Sequence, residues 1–341
     1  MNEPTRTDWK ELLNTALEFR DLEPWYWMGD EEVFGVENPE TGEIGYCVVM
    51  GGREELFGLA VYRGYEGINN YNEILASNGR TKEDAMLTTK AYIIEFGDKK
   101  NLEDYDRKTF KRIGYVSRDP LGYPVFRAFS PGYFPWRIDV DAARYLTCVL
   151  QQGIIVSERV REGELIVYPQ KSGEYFVRVP VQMNNTIKWK DQWKKPPAED
   201  KNEHTYPVDT SRRLRVMNSV KKREGIIELA SFYHIDMVIE DGPRPYFANL
   251  IFAVDHRSGV ALHHTIANPN NYSVQVQNAF FSVIEKLNKI PEKVLVKDGA
   301  IKDILAPLTG PMKIDVFVEK KLKEFEKLEQ SVKKNVKGPA R

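Results

Sequence analysis

Cysteine is scarce in this sequence of 341 residues, because only Cys47 and Cys148 are present. Both lie in apolar stretches, so they are expected to be buried thiols of a reducing compartment. Two cysteines exclude a disulfide framework and a zinc site built from thiolates. No apolar run approaches the ~20 residues that a membrane span requires, and residues 1–10 lack the apolar core of a signal peptide. These absences predict a cytoplasmic protein that does not enter the membrane.

Several motifs that identify enzymes are also missing. The sequence has no glycine-rich phosphate loop, no Gly-x-Ser-x-Gly elbow and no His-Glu-x-x-His zinc motif. What is present is ample material for cores, since 42% of the residues are hydrophobic and 11% are aromatic. This composition indicates a folded chain, and its length predicts two or three domains.

Charge is unevenly distributed although the formal net charge is only −1. Residues 1–150 contain 18 Lys and Arg against 26 Asp and Glu, whereas residues 187–224 contain 11 against 6. An acidic first half followed by a basic centre is the kind of asymmetry that reports on binding partners. The pattern leaves both a nucleic acid and a protein partner open.

The first part of the chain predicts an α+β domain over residues 1–155. Apolar spacing favours a first helix and two later ones, and alternating segments favour a meander of antiparallel strands. The predicted helices are 7–20, 67–77 and 139–152, and the predicted strands are 32–37, 44–50, 56–62, 91–96 and 125–130.

Two segments of this region, FGVENPETGEIGYCVVMG at 34–51 and FSPGYFPW at 129–136, resemble an uncharacterised family of bacterial two-domain proteins. The resemblance covers most of the chain. It implies a bacterial protein with a second domain of unknown function, and it brings no activity with it.

The last part of the chain predicts an α/β domain over residues 228–335 with a mixed sheet. The expected strands are 232–240, 246–254, 260–267, 293–297 and 313–318, and the expected helices are 273–289, 300–308 and 319–332. The order is βββαβαβα, and right-handed crossovers would make strands four and five parallel to strand one. In order and spacing of elements this segment resembles the ribonuclease H and integrase superfamily.

Two aspartates of this domain stand where that superfamily has its first two acids: Asp236 in Tyr233-x-x-Asp236 and Asp298 at the end of strand four. Strands that are neighbours lie ~4.8 Å apart, so facing aspartates would share Mg²⁺ and position a phosphodiester. A third acid would come from the last helix, as Glu319 or Glu324. The competing interpretation makes Asp236 a strand-end carboxylate facing solvent and Asp298 a turn or helix-capping residue.

Residues 156–227 predict a connecting region with a hairpin at 164–181, an exposed linker at 189–201 and a basic helix that ends at Arg223. Such a helix would contact a phosphate backbone, although a charge run is more often an ordinary solvated face. The candidate nucleic-acid-binding residues are Arg212, Arg213, Arg215, Lys221, Lys222 and Arg223.

Three hypotheses about function follow. The preferred one is a non-catalytic or degenerate ribonuclease-H-like protein that binds a macromolecular partner, with nucleic acid as one option. The second is a Mg²⁺-dependent nuclease, the only one of the three that needs a cofactor. The third is a protein–protein adaptor whose acidic first domain provides the binding surface. The sequence leaves the oligomeric state open.

Overall fold

The chain forms two compact units in the computed structural model, which describes residues 2–52, 56–76, 86–184, 186–197 and 206–335. The first unit comprises Met1–Pro131 and Pro135–Asp200, and the second comprises Gly132–Phe134 and Lys201–Arg341. The segment 156–227, predicted as a connecting region, is therefore divided between the two units. Within the described ranges, no helix is both long enough and apolar enough to cross a bilayer.

The first helix, α1 (Arg6–Leu22), begins one residue before its predicted start because the capping residue is Thr5. The Thr5 side chain accepts a hydrogen bond from the Asp8 backbone N–H, and the Asp8 carboxylate accepts one from the Thr5 N–H at 2.8 Å. This capping box satisfies N–H groups that the first helical turn leaves free.

The first unit is built on a seven-stranded sheet in the order β5-β4-β3-β2-β1-β6-β7. The first five strands form the predicted antiparallel meander. The sixth pairs in parallel with β1 and antiparallel with β7, so the sheet is mixed. The strands are β1 (Phe34–Glu37), β2 (Ile44–Met50), β3 (Phe57–Arg63), β4 (Ala91–Gly97), β5 (Tyr123–Phe129), β6 (Tyr175–Met183) and β7 (Thr186–Lys194).

Helices lie on both faces of this sheet: α1, α2 (Gly64–Ala76), α3 (Asp104–Ile113) and α4 (Val140–Arg161). Helices α1 and α4 share one apolar core with Phe34 and Cys47 of the sheet. Helix α2 packs on the other face, where Ile68 and Tyr71 join Tyr46.

The predicted hairpin at 164–181 is wrong, because the hairpin strands are β6 and β7, with Met183 opposite Thr186. The predicted linker at 189–201 is wrong for residues 189–194, because these residues belong to β7, which ends at Lys194. Residues 198–201 of the predicted linker lie outside the described residues. Strand β7 was missed because an edge strand rich in lysine has the composition of a linker.

The second unit contains a five-stranded sheet in the order β10-β9-β8-β11-β12. Numbered within the unit, this order is third, second, first, fourth and fifth. The first three strands are antiparallel neighbours, and the last two are parallel to the first, as predicted. The strands are β8 (Ile226–Ile239), β9 (Tyr246–Asp255), β10 (Ala261–Ala267), β11 (Lys293–Val296) and β12 (Asp315–Val318).

Four helices of the second unit lie within the described residues: α5 (Thr210–Ser219), α6 (Tyr272–Leu287), α7 (Gly299–Met312) and α8 (Lys323–Asn335). Helices α5, α6 and α7 contribute to the apolar core on one face of the sheet. Helix α8 covers the other face, where Leu322 and Phe325 pack on Phe232 and Phe252.

Candidate functional site

The candidate site lies where β8 and β11 run side by side. These strands are parallel neighbours, with Val296 opposite Leu229. Continuing this register by two residues brings Asp298 level with Ser231. Asp298 follows the end of β11, and Tyr272 interacts with both Asp298 and Ser231. The residue of β8 at the level of this aspartate is therefore a serine.

Ser231 is held by a partner from the next helix. Its hydroxyl and the hydroxyl of Tyr272, the first residue of α6, share a hydrogen bond of 2.8 Å. Burial raises the pKa of Tyr272, and the negative charge of Asp298 raises it further, although the hydrogen bond with Ser231 acts in the opposite direction. The phenol therefore stays protonated at neutral pH, and the Ser231–Tyr272 pair carries no charge.

Asp298 is the helix-capping residue that the competing interpretation described. Its side chain accepts a hydrogen bond from the Ile301 N–H at 2.9 Å at the start of α7. The carboxylate is exposed to solvent. A capping carboxylate is stabilising at a helix N-terminus without any ligand.

Asp236 does not meet Asp298. It lies five residues beyond Ser231, roughly 16 Å along the strand, in the irregular stretch of β8 where the register with β9 shifts between His234 and Val238. Its side chain is exposed. The predicted juxtaposition of the two aspartates is thus corrected: their strands are neighbours, but the register separates the carboxylates.

The two proposed third acids lie elsewhere. Glu319 precedes α8, which begins at Lys323 and not at 319 as predicted, and its N–H donates to the Val296 carbonyl at 2.8 Å. Glu324 forms an ion pair with Lys327 at 2.8 Å. Its Oε2 lies 2.7 Å from where a Cβ on Gly259 would be, at the β9–β10 turn.

No metal site arises from these acids. Glu324 belongs to α8, which covers the face of the sheet opposite to the one that carries Tyr272. In the described part of the chain, no group of three or more His, Cys, Asp or Glu residues is arranged to hold a metal ion. The Mg²⁺ ligands that the sequence suggested therefore remain dispersed.

Sequence reasoning missed Glu228, a carboxylate that is fully buried. Its Oε2 accepts a hydrogen bond from the Phe325 N–H at 2.7 Å, and its Oε1 lies 2.6 Å from His256 Nδ1. It lies three residues from Ser231 and so on the opposite face of the strand, against α8. The signal was a lone acid within the apolar run 226–230, and it was overlooked because the strand was predicted to begin at 232.

The basic residues of the centre are mostly engaged within the protein. Arg212 forms an ion pair with Glu285 at 2.6 Å, donates to Asn278 at 3.0 Å, and stacks on Phe281 with its guanidinium carbon 5.0 Å from the ring centroid. Lys222 forms an ion pair with Glu224 at 2.6 Å. The contacts of Arg212 hold its guanidinium against α6, whereas Lys222 stays exposed with its charge paired to Glu224.

Two further arginines satisfy carbonyl groups of α7. Arg213 donates to the Pro307 carbonyl at 3.0 Å, and Arg223 donates to the carbonyls of Met312 and Lys313. The helix predicted to extend through Arg223 ends at Ser219, so Lys221, Lys222 and Arg223 do not lie on it. Within the described residues, the candidates without an ion pair or side-chain hydrogen bond are Arg215 and Lys221.

A different family model matches each of the two units. Residues 9–178 match the family model described as Domain of unknown function (DUF7309). Residues 210–333 match the model described as Domain of unknown function (DUF6930). No curated protein matches the chain. The two matches fit an uncharacterised two-domain family, as the sequence resemblance suggested.

Proposed function

We propose that the second unit is a ribonuclease-H-like domain without nuclease activity, and that the protein acts by binding another protein. The likeness is supported by the strand order β10-β9-β8-β11-β12 and by the parallel pairing of β11 with β8. This is the arrangement expected from the βββαβαβα order.

The observation that carries the proposal is the neutral Ser231–Tyr272 pair. Metal-dependent hydrolysis of a phosphodiester needs carboxylates that converge on divalent cations. At the level of Asp298 the first strand supplies the hydroxyl of Ser231, not a carboxylate. This hydroxyl is already hydrogen-bonded to Tyr272 at 2.8 Å. A single exposed aspartate that caps a helix is a weak ligand for Mg²⁺.

The alternative is a Mg²⁺-dependent nuclease that uses Asp236 and Asp298 with Glu319 or Glu324. It requires these side chains to converge on one edge of the sheet. Asp236 is displaced along β8 from the level of Asp298, and Glu324 lies on the opposite face of the sheet. The alternative therefore ranks below the binding function.

Nucleic acid is the less favoured partner because of how the arginines are used. Affinity for a phosphate backbone comes from cations that are free to replace counterions. Arg212, Arg213 and Arg223 instead make internal hydrogen bonds and ion pairs. These three side chains are not free to replace counterions, so a protein ranks above a nucleic acid as the partner.

The test is a cleavage assay with the full-length protein. Single- and double-stranded DNA and RNA are incubated with Mg²⁺ or Mn²⁺, in parallel with D236N and D298N. We expect no cleavage by any of the three proteins, and no heat of Mn²⁺ binding in calorimetry. Cleavage by the wild type that both variants lose would establish the nuclease and overturn the proposal.

A further inference from the structure

Strand β7 forms one edge of the seven-stranded sheet, and among the described residues its one partner strand is β6. Its nine residues are almost all exposed. An edge strand presents N–H and C=O groups that have no partner, and a second chain can pair with them. Strand β7 is therefore long enough to accept one further strand.

Pro180 indicates which residues of β7 direct their backbone outward. Proline has no N–H to give to a ladder, and Pro180 lies opposite Trp189. In an antiparallel pair, alternate residues exchange hydrogen bonds with the partner strand, and the residues between them do not. The pair of Pro180 and Trp189 belongs to the second kind, so the residues of β7 that face the free edge are Ile187, Trp189, Asp191 and Trp193.

Three of the four charged residues of β7 are lysines, although the first 150 residues of the chain are acidic. Lys188 and Lys190 are exposed, lie on one face of the strand, and have no ion pair within the described residues. Lys194, on the same face, forms an ion pair with Glu37. Lys188 and Lys190 are two residues apart on β7. Their ammonium groups therefore match the spacing of every second side chain on an extended partner strand.

The single acid of β7 is compensated. Asp191 forms ion pairs with Arg159 at 2.9 Å and with Arg178. Burial acts to raise the pKa of Asp191, but the hydrogen bonds from these two arginines outweigh it and lower the pKa. The edge therefore presents net positive charge.

These charges decide between the possible partners. A second copy of β7 would bring lysines against lysines, which is the device by which edge strands avoid pairing with themselves. A nucleic acid offers no regular N–H and C=O groups to the free backbone of β7. An extended peptide offers both, and acidic side chains on it would meet Lys188 and Lys190.

We propose that β7 binds an extended acidic segment of a partner protein as an eighth strand of the sheet. Carboxylates on every second residue of the segment lie against Lys188 and Lys190, and its backbone pairs with Ile187, Trp189, Asp191 and Trp193. The proposal rests on the proposed binding function and names its surface and its class of partner.

The experiment measures the fluorescence anisotropy of labelled nine-residue peptides with the full-length protein. One peptide alternates threonine with glutamate, a second alternates threonine with lysine, and a third is the acidic peptide with alternate amides N-methylated. We expect only the first to bind. We expect K188E/K190E to weaken its binding by about tenfold or more, and K108E, which changes an exposed lysine of α3, to leave it unchanged.

A proline variant tests the backbone part of the proposal. I187P removes an N–H that faces the free edge and keeps the ladder with β6, whereas I187T keeps that N–H. We expect I187P to abolish binding and I187T to retain it, with both proteins melting near the wild type.

Three results would overturn the inference: no binding of the acidic peptide, equal binding of the basic peptide, or binding of single-stranded oligonucleotides alone. None of them changes the outcome of the cleavage assay, so failure of this inference is distinct from failure of the proposed non-catalytic role.

Discussion

At the residue scale, Glu228 is the most consequential side chain of the second unit. A buried carboxylate is tolerated only where hydrogen bonds replace its lost hydration. Glu228 has two such partners, the Phe325 N–H and His256. It therefore joins the first strand of the sheet to the start of α8 and to the turn after β9.

Replacing Glu228 should destabilise the second unit markedly. In E228A the Phe325 N–H is left buried without an acceptor, and we expect the free energy of unfolding to fall by about 2–3 kcal/mol. E228Q keeps an oxygen for that N–H and should lose less. Urea unfolding followed by circular dichroism measures both. E292A removes an exposed carboxylate and should change stability by less than about 0.5 kcal/mol; a loss in E228A no larger than that would contradict this account.

At the element scale, α7 is a helix with two internal prolines, Pro307 and Pro311. A helical carbonyl normally accepts from the N–H four residues later, but Pro311 has no N–H to give to the carbonyl of Pro307. Arg213 supplies the missing donor at 3.0 Å. Arg213, one of the residues predicted to bind nucleic acid, thus has a structural role: it satisfies a carbonyl that Pro311 leaves without a donor in α7.

This pairing predicts a coupling between two positions that are distant in sequence. R213M keeps the apolar stem but removes the donor, and we expect it to cost about 1–3 kcal/mol. In a P311A background the helix regains its own N–H, so the same R213M change should cost at least about 1 kcal/mol less. A double-mutant cycle of unfolding free energies measures the difference. Equal costs in both backgrounds would show that Arg213 acts in another way.

Strands and helices with a clear apolar periodicity were predictable from the sequence. Elements whose residues are mostly exposed and polar were not. The strands that became β2, β9 and β11 lie within a residue or two of their predicted positions, because apolar runs and flanking turns define them. Strand β7 was missed because its exposed edge has linker-like residues. The site was predictable only in part: sequence indicates that β8 and β11 are neighbours, but register depends on packing, and it decided that Ser231 and not Asp236 faces Asp298.

At the scale of the whole molecule, each unit has its own apolar cores. Phe19 belongs to a core of the first unit and Phe280 to a core of the second, and both side chains are fully buried. Units with separate cores unfold as separate cooperative steps unless a large interface links them.

We therefore expect calorimetry of the full chain to show two transitions. F280A should lower the midpoint of one transition and F19A that of the other, since each removes a buried ring at a cost of about 3–5 kcal/mol. A single transition that both variants shift equally would mean that the two units unfold as one.

The parallel pairing of β1 with β6 also bears on how the protein is made. Phe34 pairs with Phe176, so the ribosome must add more than a hundred residues after β1 before its partner strand exists. At about 5–20 residues per second this takes on the order of ten seconds. Throughout that time the nascent meander ends in an open, apolar strand. Slower translation of the stretch that encodes α4 would prolong the exposure and should increase aggregation of the newly made chain.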